Sequence, residues 1–99
     1  MSTTHDEIPA LVRHLARYLR TNPFACDTCE GIERWWLASD PPLALPQLQQ
    51  ALDWMVARAL LERLPAADGR VRYRRAPLDQ AGEDTLRRLA EGAAPGALH

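Results

Sequence analysis

Apolar positions recur at helical spacing from about Ile8 to Arg20, where Ile8, Leu11, Val12, Leu15, Tyr18 and Leu19 form a stripe and Arg13, Arg17 and Arg20 fall on other faces. Pro9 suits the first turn of such a helix, and Asn22-Pro23 stops it, because the residue before proline is pushed out of the helical region. Asp27 followed by Glu30 has the spacing of a capping box and opens a short second helix through Ile32, Trp35, Trp36 and Leu37. A loop follows from Ala38 to Leu43, with two prolines. A third helix starts near Pro46 and runs to about Ala59, with Leu48, Leu52, Met55 and Ala59 on one face. Gln50, Asp53 and Ala57 point away from that face, and Gln47 and Trp54 flank it.

Periodicity then shifts from helical to alternating. The runs Leu60 to Leu64 and Arg70 to Arg75 are separated by Pro65-Ala66-Ala67-Asp68-Gly69, and Asp-Gly between two such runs predicts a hairpin. Val71 and Tyr73 share the face toward the core, and Arg70, Arg72 and Arg74 share the face toward solvent. Phe24 to Cys26 can add a short third strand. From Leu78 to Glu91, Leu86, Leu89 and Ala90 recur, Glu83 with Arg87 and Asp84 with Arg88 have i,i+4 spacing, and Gly92 ends the segment. This apolar stripe is narrow, which predicts a helix that dimerises rather than one that sits in the core. The expected organisation is disordered ends at 1–7 and 93–99, a domain over 8–77 and a C-terminal helix over 78–92.

Composition adds limits. The chain has 99 residues, enough for one core without disulfide or metal staples. A formal net charge of -1 excludes a polybasic coat for nucleic acid or membranes, so any basic patch must be local. All 12 cationic side chains are Arg, as in a GC-rich bacterial coding sequence. No run reaches the roughly 18 to 20 apolar residues of a membrane span, and the N-terminus lacks the pattern of a signal peptide. The expected compartment is the cytoplasm, with no membrane partner.

The order helix, helix, helix, hairpin resembles the winged helix-turn-helix superfamily. Leu48, Ala51-Leu52 and Met55 followed by Ala59-Leu60-Leu61-Glu62-Arg63 look like that family's third helix running into its first wing strand. Asp68-Gly69-Arg70 with Tyr73 look like the wing turn and return strand, and Ala59 stands where many members carry Gly. The resemblance covers Ile8 to Arg75 and implies a mainly α fold with a small β-hairpin: three helices, a two-stranded wing and a C-terminal helix. It also implies that the third helix enters the major groove of duplex DNA and the wing lies along the phosphates, as in a transcriptional regulator.

The candidate chemistry is of binding, not catalysis. From Arg58 to Arg75 there are six Arg against Glu62 and Asp68, so Arg58, Arg70, Arg72 and Arg74 are the candidates for phosphate contact; the same pattern also fits a solvated strand edge. Gln47 and Gln50 can pair with base edges, although Asp53 on the same face would be repelled by phosphates. Three tryptophans support a second reading, a protein-binding adaptor that uses Trp54, Trp35 and Asp53. Trp35 and Trp36 are adjacent on a helix and cannot be equally buried. Leu86 and Leu89 are the expected dimer contacts.

Cys26 and Cys29 stand at C-x-x-C spacing at a helix start, where the helix dipole lowers a thiol pKa, and form a candidate redox pair. The alternative is two inert thiols. Phosphate-binding glycine loops, nucleophile elbows and zinc signatures are missing from the sequence, so neither enzyme activity, cofactor nor metal is expected.

Overall fold

The computed structural model describes residues 4–37 and 45–92, with side chains from residue 8 onward. The expected loop at 38–43 and the tail at 93–99 lie outside them. The chain forms α1 (Thr4–Thr21), β1 (Cys26–Thr28), one turn of α2 (Cys29–Gly31) continued by π-helical turns over Ile32–Leu37, α3 (Leu45–Ala57), β2 (Leu61–Pro65), β3 (Val71–Arg75) and α4 (Gln80–Ala90). The class is α+β: among the described residues, four helices with a three-stranded antiparallel sheet in the order β1-β3-β2.

Helix α1 begins at Thr4, ahead of the expected Ile8, so Pro9 lies inside the helix and removes one backbone hydrogen bond there. The expected capping box is replaced by a neighbouring arrangement. Thr28 is the N-cap of α2 and its hydroxyl oxygen accepts from Gly31 N at 3.2 Å, while Asp27 belongs to β1 and its carboxylate accepts from Thr28 N at 2.8 Å. A methyl group on Gly31 would overlap that carboxylate, which ties the glycine to this turn.

The third strand lies at Cys26–Thr28, slightly beyond the expected Phe24 to Cys26, with Asp27 opposite Tyr73. In the hairpin, Leu61 faces Arg75 and Pro65 faces Val71. Ala66 N donates to Arg70 O and Gly69 N donates to Ala66 O, both at 3.0 Å, which leaves a three-residue loop. Gly69 has a φ of 82°, the left-handed conformation that closes this kind of loop.

The helices and the sheet share one core. Leu11, Leu15, Ile32, Leu48, Leu52, Met55, Leu61 and Tyr73 are buried together as expected. Val71 is not: it is 39% exposed, because it opens β3 beyond the reach of the helices that cover Tyr73. The clearest correction concerns α4. Leu86 and Leu89, expected between two chains, are fully buried with Ala90 in this chain's own core. The stripe is narrow because α4 packs mainly on one partner, α1. Arg17 Nε of α1 closes the contact by donating to Ala90 O at 2.8 Å, a cation at a helix C-terminus. The expected i,i+4 pairs do not form. Glu83 reaches across to Arg75 of β3, and Asp84 accepts from Gln80 at 3.0 Å and pairs with Arg87 at 3.4 Å.

The exit of α3 carries a local strain. Leu60 N donates to Met55 O and Ala59 N to Val56 O, both at 2.9 Å, so Ala59 occupies the position after the helix that favours glycine, with a φ of 60°. A Cβ in the left-handed region costs about 1–2 kcal/mol, partly offset by the extra unfolded-state entropy of glycine. Ala59→Gly is therefore expected to stabilise the fold by about 1 kcal/mol and to raise Tm by about 4–8 °C in a thermal melt. An unchanged or lower Tm would show that the left-handed cap is not strained.

Candidate functional site

Helix α3 and the hairpin converge on one surface. At its centre Gln49 Nε2 donates to Asp53 Oδ1 at 2.9 Å and to the Tyr73 hydroxyl at 2.7 Å, and Arg63 of β2 pairs with the same Asp53 oxygen. Asp53, expected to repel phosphates or to meet a partner, is thus held inside the chain between α3, β2 and β3, with its side chain still half exposed. The Asp53 carboxylate raises the Arg63 pKa, by hydrogen bonding first and by charge second. Sequence spacing within α3 could not show this, because the partners lie 10 residues (Arg63) and 24 residues (Tyr73) downstream of Asp53 and Gln49 respectively.

The arginines of the hairpin and of the α3 exit divide into two groups. Arg74 Nε donates to Glu62 at 3.0 Å across the hairpin, Arg72 lies 4.0 Å from Asp68, and Arg75 pairs with Glu83. Among the described residues, Arg58 and Arg70 have no carboxylate within salt-bridge distance. Arg58 instead lies over the Trp54 ring, 4.9 Å from its centroid, where the ring face attracts a cation. Arg70 lies outside β3, at the end of the loop, so only Arg72 and Arg74 of the expected arginine column share the solvent face of the strand itself. The Arg74–Glu62 and Arg72–Asp68 pairs are exposed, and such pairs contribute little to stability, whereas the Arg75 side chain is largely buried.

Gln50 is exposed on α3, Gln47 is half buried near its start, and neither hydrogen-bonds to another described side chain. Gln49 and Arg70 line a common cleft of about 210 Å³ with Thr28, Glu30, Val71 and Tyr73. The helix surface and the loop end of the hairpin therefore border one continuous face.

The tryptophans separate as expected. Trp36 is 9% exposed and stacks on Tyr18 of α1, with centroids 5.0 Å apart and an interplanar angle of 11°, whereas Trp35 is 68% exposed. Trp54 is half buried beneath Arg58.

Cys26 is exposed on β1 and Cys29 is half buried, both as free thiols. Burial, followed by the charges of Glu30, Asp53 and Glu33, pushes the Cys29 pKa up, opposite to the lowering expected from the helix dipole. One helical turn aligns few peptide dipoles, while burial and then the three carboxylates act against the thiolate. Among the described residues, no group of three or more His, Cys, Asp or Glu is placed to hold a metal ion, and no helix is long and apolar enough to cross a membrane.

No protein-family model, curated protein or solved structure matches the chain.

Proposed function

We propose that this is a winged helix-turn-helix protein that binds duplex DNA, with α3 presented to the major groove and the β2–β3 hairpin to the phosphates, in the role of a transcriptional regulator. The fold part of this reading is supported by the element order α1, β1, α2, α3, β2, β3 and by the sheet order β1-β3-β2, in which α3 feeds directly into the hairpin. The observation that carries the binding part is the shared face of α3 and the hairpin, where Gln49 and Arg70 line one cleft; Gln50 is exposed on α3, and Arg58 is exposed beyond its end, beside Leu78 and Ala81. Glutamine amides can pair with adenine edges, and guanidinium forks match phosphate oxygens. Gln47 and Gln50 are the base-reading candidates, and Arg58 and Arg70, followed by Arg72 and Arg74, are the phosphate contacts.

A titration of a fluorescent random-sequence duplex by anisotropy tests the reading. Each neutralised phosphate steepens the salt dependence by about 0.9 in log K against log salt. With Arg58 and Arg70 engaged, affinity should fall about tenfold between roughly 50 and 200 mM salt, and Arg70→Ala should remove about half of that slope. Absence of binding at the lower salt overturns the proposal.

The 68% exposure of Trp35 favours a second reading, a protein-binding adaptor. Under it Trp35→Ala abolishes capture of a protein partner and leaves duplex affinity unchanged.

A further inference from the structure

At the centre of the α3 surface one amide has no donor left. Both hydrogens of Gln49 Nε2 are used, one toward Asp53 Oδ1 at 2.9 Å and one toward the Tyr73 hydroxyl oxygen at 2.7 Å. The amide cannot be turned round in place, because that would set its carbonyl oxygen against the Asp53 carboxylate, and two acceptors repel. Gln49 Oε1 and Asp53 Oδ2 are what remains. Among the described residues neither oxygen accepts a hydrogen bond, and neither is buried. At 100° per residue Asp53 lies between Gln49 and Gln50 around the helix, so both oxygens belong to the surface that Gln50 exposes.

The charge of this acceptor pair is already answered. Arg63 pairs with Asp53 and offsets the repulsion that a lone carboxylate would exert on phosphates. Arg70 lines the same cleft as Gln49 and supplies a cation for the backbone beside a base. Which base fits is then a matter of donors and acceptors. Glutamine reads adenine by donating to N7 while accepting from N6, and Gln49 has no hydrogen to donate. Cytosine presents its N4 amine with no acceptor of its own beside it, which is the edge that a carboxylate oxygen reads. Gln47 and Gln50, whose amides bond to no other described side chain, keep the adenine pairing.

We propose that Gln49 and Asp53 together select a C·G base pair by accepting from the cytosine N4 amine, and that they discriminate against A·T at that position. The selection rests on the DNA-binding reading of this face and adds to it the base that the face prefers.

The full chain is incubated at about 50 mM salt with duplexes randomised over about 10 base pairs, one helical turn, and the retained molecules are sequenced. One position is expected to hold C·G over A·T by about fivefold or more, the effect of a good base contact. Asp53→Asn gives the face a donor and should move that position toward A·T, and a thermal melt shows that the variant is folded. A second measurement needs no variant. N4-methylcytosine still pairs with guanine but turns its methyl group into the major groove, so placing it at the selected position should weaken wild-type binding about fivefold or more. Retained duplexes with no C·G position, an Asp53→Asn variant that selects the same pair as the wild type, or equal affinity for the methylated duplex overturns the proposal and leaves the DNA reading standing. No retained duplex at all overturns both.

Discussion

A chain ending at Pro77 is expected to lose its cooperative unfolding transition. Such a truncation removes α4, whose Leu86 and Leu89 are buried against α1 with Ala90, and also the acceptor of the Arg17 hydrogen bond. Each buried leucine contributes about 1.5–3 kcal/mol through burial alone. The exposed face of α1 would then add its own cost, while a domain of this size holds only about 5–15 kcal/mol in total. A single substitution measures the same contact more gently. Leu86→Ala is expected to cost about 2–5 kcal/mol through lost burial and the cavity left behind. At about 4–8 °C per kcal/mol, that lowers Tm by at least about 8 °C. Urea titration or a thermal melt followed by circular dichroism gives both numbers. A truncated chain that melts cooperatively near the wild-type temperature would place α4 outside the core.

Removing two carboxylates from the hairpin is expected to strengthen binding to duplex DNA. Glu62 and Asp68 hold Arg74 and Arg72, so in the wild-type protein these two guanidinium groups are partly neutralised before any phosphate arrives. The pairs are exposed and cheap to break, which makes their removal a change in charge more than in stability. The wild-type salt slope should be near −1.8, for Arg58 and Arg70, and the slope of Glu62→Gln/Asp68→Asn near −3.6, as two more phosphates become available. Asp84→Asn/Glu91→Gln, which removes two carboxylates from α4 and its C-cap, controls for net charge and is expected to leave the slope unchanged. The measurement is the anisotropy titration across several salt concentrations at submicromolar protein. Equal slopes for the double variant and the wild type would mean that Arg72 and Arg74 do not face DNA.

Local patterns carried most of the fold. The helical spacing of Leu11, Leu15, Leu48, Leu52 and Met55 and the alternation around Tyr73 are properties of single elements, and the elements followed them. Misreadings arose where two elements compete for one residue. Glu83 had a helical partner at Arg87 but was taken by Arg75 of a strand, and Asp53 had no partner on α3 except Gln49 until β2 brought Arg63 beside it. The capping position moved by one residue because Asp27 was needed in β1 opposite Tyr73. Leu86 and Leu89 looked insufficient because the width of an apolar stripe shows how many neighbours a helix has, not whether they belong to the same chain. The candidate site was legible as residue types only. Which arginines are paired depends on hairpin register, which places Glu62 opposite Arg74.

The hydrogen bonds of Gln49 to Asp53 and Tyr73, with Arg63 closing the set, act as a brace between helix and hairpin. A braced pair of elements cannot search for its target one part at a time. Under the DNA reading both surfaces would reach the duplex at their final spacing, so encounter is expected to be a single bimolecular event, one exponential whose rate rises linearly with duplex concentration.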